Sequence, residues 1–186
     1  METGDRHLYT IGHSTRSLEE FVSLLHAFQI DCLADVRTIP RSRHTPQFNR
    51  EALEIEFPKA ALRYIHFPRL GGLRKSSGKG SLNSGWRNAG FRAFADYMQT
   101  EEFACGLDEL WTLAGQARTA IMCAEALYWR CHRSLIADAC TVRGGMVSHI
   151  LSDRKIERHR MTPFSVVIDG RITYPPPPLS QASFPT

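Results

Sequence analysis

Apolar stretches of strand length alternate with amphipathic stretches along most of the chain. The apolar stretches lie at residues 7–12, 32–37, 62–67, 118–122 and 146–151. Between them, apolar residues recur at helical spacing, and the first such segment opens on a capping box with Ser17 at the N-cap and Glu20 at N3. Strands that alternate with helices are typical of an α/β fold. We therefore predict a single three-layer α/β domain with a mostly parallel sheet of about five strands.

The end of the chain has a different pattern, in which two β-rich segments flank the pair Asp169-Gly170. An Asp-Gly pair favours the type I′ turn of a β-hairpin. A proline run at residues 175–178 follows the predicted hairpin. We assign residues 1–160 to an α/β catalytic-like domain, and residues 161–186 to a hairpin and proline-rich tail appended to the same domain.

The composition excludes several classes of protein. Hydrophobic residues make up 42% of the 186 residues and charged residues 23%, which is typical of a soluble globular protein. No apolar run approaches the roughly 18–20 residues of a membrane helix, and residues 1–6 hold no apolar segment of a secretory signal. The five cysteines include no CxxC pair, which favours neither a disulfide scaffold nor a zinc site on paired cysteines. We expect a cytoplasmic protein without membrane contact, metal or cofactor.

The positive charges are concentrated in two segments that are rich in turn-forming residues. The net charge is only +4, but residues 36–50 hold four arginines and no acid, and residues 68–92 hold six lysines and arginines and no acid. Two cationic loops in one small domain predict an anionic, phosphate-bearing ligand, with a solubilising surface as the alternative. Aromatic side chains near these loops are candidates to stack a base: Phe48, Trp86, Tyr97 and Trp129.

Polar and ionisable side chains follow the predicted strands at their carboxyl ends, where open parallel sheets bind ligands. Glu125 and Asp35 each follow a buried strand, where an unpaired carboxylate is costly unless it is used, and His13 follows the first strand. These three are the candidate catalytic residues, although Asp35 could instead pair with Arg37 as scaffolding. The candidate residues for binding substrate or phosphate are Ser14, Arg37, Arg41, Ser42, Asn49, Gly71, Gly72, Trp129, Arg130, His132 and Arg133.

The densest cluster of such residues lies at positions 122–133. A thiol at Cys123 followed by Arg130 is similar to the loops of phosphatases, but the spacing is longer and the glycines of those loops are missing. Cys131, at a predicted helix start, is a second candidate for a reactive thiol. For both cysteines, burial as a small apolar residue is the alternative.

The polar motifs together resemble a known bacterial family, domain of unknown function 488. The motifs lie at residues 10–17, 35–37, 40–42, 46–49, 70–72, 123–125 and 130–133, and the resemblance covers about residues 8 to 151. It implies a compact α/β domain. A signature made of His, Asp, Arg, Glu and Cys indicates a functional site more than a core.

These observations lead to one function and two alternatives. We expect a hydrolase that acts on a nucleic acid or nucleotide. The candidate carboxylates, cationic loops and aromatic residues fit cleavage of an N-glycosidic bond best, as in the base excision of DNA repair. Its oxocarbenium-like transition state needs a carboxylate and a positioned water, and an extruded base needs a pocket. The alternatives are a thiol-dependent enzyme centred on Cys123 or Cys131, and a non-catalytic module that binds DNA or RNA.

Overall fold

The computed structural model describes residues 6–75 and 80–176. The predictions for residues 1–5, for Lys79 in the second cationic segment, and for the tail from residue 177 onward lie outside the described residues.

The described residues form a mostly parallel six-stranded sheet. Its strands are β1 (His7–Gly12), β2 (Cys32–Asp35), β3 (Arg63–His66), β4 (Thr119–Cys123), β5 (Met146–Ile150) and β6 (Ile156–Arg158). The order across the sheet is β3-β2-β4-β1-β5-β6, and only β6 runs antiparallel to its neighbour. The prediction of an α/β fold with β1 to β5 in parallel is confirmed, and β6 is an additional edge strand.

Helices connect the parallel strands, as the periodicity predicts. They are α1 (Leu18–Ala27), α2 (Arg50–Lys59), α3 (Ala89–Tyr97), α4 (Glu101–Ala114) and α5 (Arg133–Val142). The capping box of α1 is present, because the Glu20 backbone N–H donates to Ser17 Oγ at 3.1 Å and the Ser17 N–H donates to Glu20 Oε2 at 2.9 Å. No helix in the described ranges combines the length and the apolar character that a membrane crossing requires.

Two apolar cores lie on the two faces of the sheet and make the domain three-layered. Helices α1 and α2 cover one face through Phe21, Leu25 and Phe57, whereas α3, α4 and α5 cover the other. Successive residues of β2 alternate between them, with Leu33 in the first core and Ala34 in the second. Each fully buried Leu or Phe side chain contributes about 1.5–3 kcal/mol to folding.

The predicted C-terminal hairpin is confirmed, with β7 (Val166–Ile168) antiparallel to β8 (Arg171–Thr173). Asp169 and Gly170 have φ angles of 49° and 74°, as a type I′ turn requires. Tyr174 directly after β8 is fully buried in the second core, where its hydroxyl donates to Asp138 of α5 at 2.9 Å. The segment after residue 160 therefore packs onto the α/β layers as part of the same core.

The topology opens a crevice above β4. This strand lies between β1 and β2. The chain leaves β1 through α1 and β2 through α2, both on one face of the sheet, whereas it leaves β4 through α5 on the opposite face. Connections that diverge to opposite faces at the carboxyl ends of neighbouring parallel strands leave a crevice in which ligands bind. The loops after β1, β2 and β4 therefore surround one position at the edge of the sheet.

Candidate functional site

A cleft of about 680 Å³ occupies this position, and we call it the switch-point cleft. Its lining residues are His13, Ser14, Thr15, Arg37, Thr38, Ile39, Ser42, His44, Thr45, Gly72, Leu73, Cys123, Ala124, Glu125, Ala126, Arg130, Cys131 and His132. The structure thus brings together most of the predicted site residues from distant parts of the chain. The predicted residues that do not line the cleft are Asp35, Arg41, Asn49, Gly71, Trp129 and Arg133.

The end of β1 holds the Glu125 loop in place. The backbone N–H groups of His13 and Ser14 donate to the carbonyls of Cys123 and Ala124 at 3.0 and 2.9 Å. Gly12 permits this close approach, because a Cβ at that position would lie 2.0 Å from the Glu125 carbonyl oxygen. Any larger residue at position 12 would push the two loops apart.

Asp35 lies beneath the cleft and is fully buried against Arg37. Arg37 Nη2 lies 2.6 Å from Asp35 Oδ2, and the Tyr64 hydroxyl donates to the same oxygen at 2.7 Å. Although burial alone would lower the pKa of Arg37, its hydrogen bond to Asp35 and the charge of that carboxylate raise it. The carboxylate therefore orients the Arg37 guanidinium, which does line the cleft.

His13 reaches the cleft as a neutral ring. Its Nδ1 donates to the Ser14 carbonyl at 2.9 Å, which leaves the Nε2 lone pair facing Arg37 Nη1 at 3.4 Å. The ring stacks on Phe48 with centroids 4.3 Å apart. Burial lowers the pKa of His13 to about 4, with the charge of Arg37 acting in the same direction. His13 can accept a hydrogen bond from a ligand without adding a positive charge.

Glu125 presents a carboxylate to the cleft. None of the ion pairs among the described residues involves it, and its one hydrogen bond there is a 3.4 Å contact from the Leu127 N–H to Oε1. The backbone carbonyl of Glu125 accepts a separate hydrogen bond from the buried Arg133 side chain. This bond holds the backbone of Glu125 in place. Of the two predicted catalytic carboxylates, Glu125 faces the cleft and Asp35 faces its own arginine.

Two thiols and an imidazole meet on the floor of the cleft. The Sγ atoms of Cys123 and Cys131 and a ring nitrogen of His132 all lie within 4.8 Å of one another, and Cys131 Sγ is 3.5 Å from His132 Nδ1. A hydrogen bond from Cys123 lowers the pKa of Cys131 to about 6, and the charge of Arg133 contributes. The same hydrogen bond and burial raise the pKa of Cys123 to about 12. The thiolate is therefore favoured at Cys131 and the proton at Cys123.

The loop after β2 is organised around Ser42. The Ser42 hydroxyl accepts from the His44 and Thr45 N–H groups at 3.1 and 3.2 Å, and the Ser42 N–H donates to Asn49 Oδ1 at 2.6 Å. Asn49 thus positions this wall without lining it. Gly71 also supports the wall, because a Cβ there would lie 2.5 Å from Thr38 Oγ1.

Several of the predicted cations point elsewhere. Arg74 donates to the Gly71 carbonyl at 2.9 Å and lies 3.6 Å above the Tyr97 ring, while Arg69 pairs with Glu109. Arg41 pairs with Glu51 on the exposed side of its loop. The second cationic segment therefore contributes Gly72 and Leu73 to the cleft, and not these arginines. Arg130 lines the cleft and forms no ion pair with the described residues.

The predicted stacking aromatics do not line the cleft. Phe48 is buried beneath His13, Trp86 packs against Phe91, and the half-exposed Trp129 lies edge-on to Tyr128. The large apolar residues that do line it are Ile39 and Leu73, which are 64% and 71% exposed. Sequence reasoning missed them, although the signal was present: each is a large aliphatic residue isolated within a polar, cationic loop.

The family described as Domain of unknown function DUF488 matches residues 17–140. This segment contains β2, β3, β4 and every residue that lines the cleft after the loop of β1. No curated protein and no solved structure matches the chain. Since the match covers more than half of the sequence and spans the cleft, the chain belongs to the DUF488 family.

Proposed function

We propose that this protein is a hydrolase that binds a nucleotide, free or within a nucleic acid, in the switch-point cleft and uses Glu125 as its acid–base residue. The observation that carries the proposal is the Glu125 carboxylate, which faces a ligand-sized cleft and is not engaged in an ion pair within the described ranges. A carboxylate held in this way is available to a ligand, whereas Asp35 is occupied by Arg37.

The polar wall of the cleft suits the phosphate of such a ligand. Arg130 supplies a cation that no described carboxylate neutralises, and Arg37 presents a guanidinium whose orientation Asp35 fixes. The Ser14 and Ser42 side chains add hydroxyls at the same cleft. Charge-assisted hydrogen bonds from arginine are the strongest contacts that a protein makes to phosphate.

The rim of the cleft suits a flat, weakly polar ring. Ile39 and Leu73 place exposed aliphatic side chains there, so a base held between them would remove apolar surface from water at about 25 cal/mol per Å². This arrangement replaces the aromatic stacking expected from the sequence. A ligand with an anionic part and a flat part fits both ends of the cleft.

N-glycosidic cleavage remains the reaction that fits these parts best. As the bond from sugar to base breaks, its electron pair leaves with the base, and positive charge develops on the sugar. The Glu125 carboxylate would stabilise that charge and accept a proton from the water that adds to the anomeric carbon. Transfer of this proton to the released base anion would restore the carboxylate. Asp35 would then act as a positioning residue for Arg37.

A second candidate function rests on the thiols. Cys131 Sγ lies 3.5 Å from His132 Nδ1, and His132 Nε2 donates to the Val36 carbonyl at 2.9 Å, which leaves Nδ1 free to accept a proton. A thiol beside a base that a third group orients is the arrangement of a cysteine nucleophile. Such an enzyme would act on a phosphate, sulfur or oxidant substrate.

The test is to incubate the protein with nucleotides and with single- and double-stranded DNA carrying varied modified bases. Base release is measured by chromatography, and abasic sites by strand nicking after alkali. We expect release that falls about 100-fold or more in Glu125→Gln. Glu54→Gln, an exposed carboxylate on α2 that pairs with Arg50, is the matched control and should retain full activity.

Three results would overturn the proposal. Turnover that survives in Glu125→Gln would remove its acid–base residue. A covalent adduct on Cys131 during turnover, detected by mass spectrometry, would favour the thiol enzyme. Nucleic-acid binding that weakens steeply with salt, with no turnover and no effect of Glu125→Gln, would favour the non-catalytic binding module.

A further inference from the structure

We infer that Cys123, Cys131 and His132 form a binding site for one zinc ion on the floor of the switch-point cleft. The inference goes beyond the proposed hydrolase and does not depend on it. It also departs from the sequence-based expectation of no metal, which rested on the absence of a CxxC pair. The ligands come instead from the end of β4 and the approach to α5, which only the fold brings together.

The distances suit a tetrahedral ion. Zinc binds cysteine sulfur at about 2.3 Å and histidine nitrogen at about 2.0–2.1 Å, so a sulfur and a nitrogen on one tetrahedral ion lie about 3.5 Å apart. Cys131 Sγ and His132 Nδ1 are 3.5 Å apart. The Cys123 thiol lies within 4.8 Å of the other two donor atoms and supplies the third ligand.

The imidazole is oriented for metal binding. His132 Nε2 donates to the Val36 carbonyl at 2.9 Å, so the lone pair resides on Nδ1, which faces the thiols. Metal-ligating histidines nearly always donate their other ring nitrogen in this manner. Gly72 allows the ring to sit there, because a Cβ at that position would lie 2.4 Å from Nδ1.

The chemistry of the donors selects the metal. Two thiolates and a neutral imidazole balance the charge of a divalent ion, and sulfur ligands favour zinc over magnesium, calcium or manganese. A site with three protein ligands leaves a fourth position, and all three of these residues line the cleft.

The site would also fix the loop that carries the proposed chemistry. Cys123 precedes and Cys131 follows the segment 124–130, which contributes Glu125 and Arg130 to the cleft. An ion bound by both cysteines would link the two ends of this segment and limit the positions of those two side chains. Its open position would face the ligand beside Glu125.

Cobalt replacement tests the site directly. The full chain is stripped with a chelator under reducing conditions and titrated with Co²⁺, then with Zn²⁺. We expect one equivalent of Co²⁺ to give the thiolate-to-cobalt charge-transfer band and intense visible bands of a tetrahedral site, and Zn²⁺ to abolish both. Cys123→Ser, Cys131→Ser and His132→Gln should weaken zinc binding by more than about 100-fold, whereas the exposed Cys105→Ser should not.

Gly72→Ala provides a variant that keeps all three ligands. By crowding the ring it should weaken zinc binding by about 10–100-fold. Absence of the charge-transfer band in the wild-type chain, or equal zinc affinity in Cys131→Ser, would overturn the inference. Glu125→Gln separates the two proposals, because it should bind zinc fully whether or not it hydrolyses any substrate.

Discussion

Asp35 and Arg37 form a buried ion pair at the carboxyl end of β2. Arg37 Nε lies 2.9 Å from Asp35 Oδ1, Nη2 lies 2.6 Å from Oδ2, and the Arg37 backbone N–H also donates to Oδ1 at 3.0 Å. Arg37 Nη2 further donates to the Phe48 carbonyl at 2.7 Å. One short segment thus ties the end of β2, the wall of the cleft and the core into a single polar network.

The first prediction concerns this pair. Asp35→Asn leaves the Arg37 guanidinium buried without a counter-charge, and we expect the free energy of unfolding to fall by about 3–5 kcal/mol. Tyr64→Phe removes only the hydroxyl that donates to Asp35 and should cost about 1–3 kcal/mol. Urea denaturation measures both. Glu51→Gln, which breaks the exposed pair with Arg41, should change stability by less than about 1 kcal/mol.

The same variants separate two roles for Asp35. If Asp35→Asn unfolds at nearly the wild-type urea concentration yet loses turnover, the carboxylate acts on the substrate, as the sequence first predicts. If stability falls and the residual turnover has a raised KM, because Arg37 no longer keeps its orientation toward the ligand, the positioning role holds.

The second prediction concerns the contact between β1 and the Glu125 loop. Gly12→Ala places a methyl group 2.0 Å from the Glu125 carbonyl oxygen, and backbone atoms on both sides must move. We expect a loss of about 1–3 kcal/mol in stability and a larger loss of ligand binding, because the loop carrying Glu125 is displaced. Thermal unfolding and ligand titration measure the two effects.

Gly115→Ala is the matched control for this clash. A methyl group there would meet only the flexible end of the Arg6 side chain, at 3.1 Å, so the change should be nearly neutral. Equal behaviour of the two alanine variants would show that the approach of β1 to the Glu125 loop can relax without consequence.

Much of the fold follows from local signals that packing does not override. Strands β1 to β5 are short apolar runs, Ser17 caps α1 where the sequence places it, and Asp169-Gly170 makes the predicted turn. Strand β6 was missed because it is a three-residue, largely exposed edge strand with no periodic signal. Helix α5 begins at Arg133 and not at Cys131, which keeps an extended backbone.

The location of the site was predictable, whereas the roles within it were not. Parallel strand ends meet at one edge, so the gathering of His13, Arg37 and Glu125 follows from the fold. Both Asp35 and Glu125 are acids at strand ends, and the sequence left open whether Asp35 acts in catalysis or pairs with Arg37. The structure shows that pairing, and it adds Tyr64, a distant residue in the sequence, as a further partner of Asp35.

The third prediction concerns how the C-terminal segment is attached. The buried Asp138 of α5 accepts hydrogen bonds from the Thr162 N–H at 3.0 Å, the Thr162 hydroxyl at 2.7 Å and the Tyr174 hydroxyl at 2.9 Å. Asp138→Asn replaces one acceptor oxygen with a donor and leaves some of these groups unpaired, at about 1–3 kcal/mol each. We expect amide hydrogen exchange over residues 159–174 to accelerate about tenfold or more, before the sheet opens.

Asp108→Asn, which removes an exposed partner of Arg143, controls for loss of charge on the same side of the domain. It should leave exchange across the hairpin unchanged. Uniform acceleration over the whole chain in Asp138→Asn would instead mean that the segment and the sheet unfold as one unit.

The fourth prediction concerns acid sensitivity and a buried histidine outside the cleft. His149 on β5 is fully buried, and its ring stacks on Tyr128 with centroids 3.4 Å apart. It bonds Thr10 Oγ1 at 2.8 Å and His159 Nδ1 at 2.9 Å, and His159 in turn bonds Asp138 at 2.8 Å. Burial lowers the pKa of His149 to about 3, and the charges of His159 and Arg133 act in the same direction.

The sign of the effect on stability follows from that pKa. Between pH 6.5 and about 3, His149 is protonated in the unfolded chain but not in the folded chain. Acid therefore favours unfolding. The contribution of His149 is fully present above pH 6.5 and falls by up to about 1.4 kcal/mol for each pH unit below it.

Urea denaturation at pH 7.5, 6.5, 5.5 and 4.5 tests this, at roughly one-unit steps across the window. We expect His149→Gln to be less stable than wild type at pH 7.5. As the pH falls, its free energy of unfolding should decrease less steeply than that of wild type, by up to about 1.4 kcal/mol per pH unit, which corresponds to one proton. His26→Gln, which removes an exposed histidine of α1, should keep the wild-type slope. If His149→Gln also keeps it, acid unfolding is driven by other groups, and His149 either titrates normally or remains neutral in the unfolded chain.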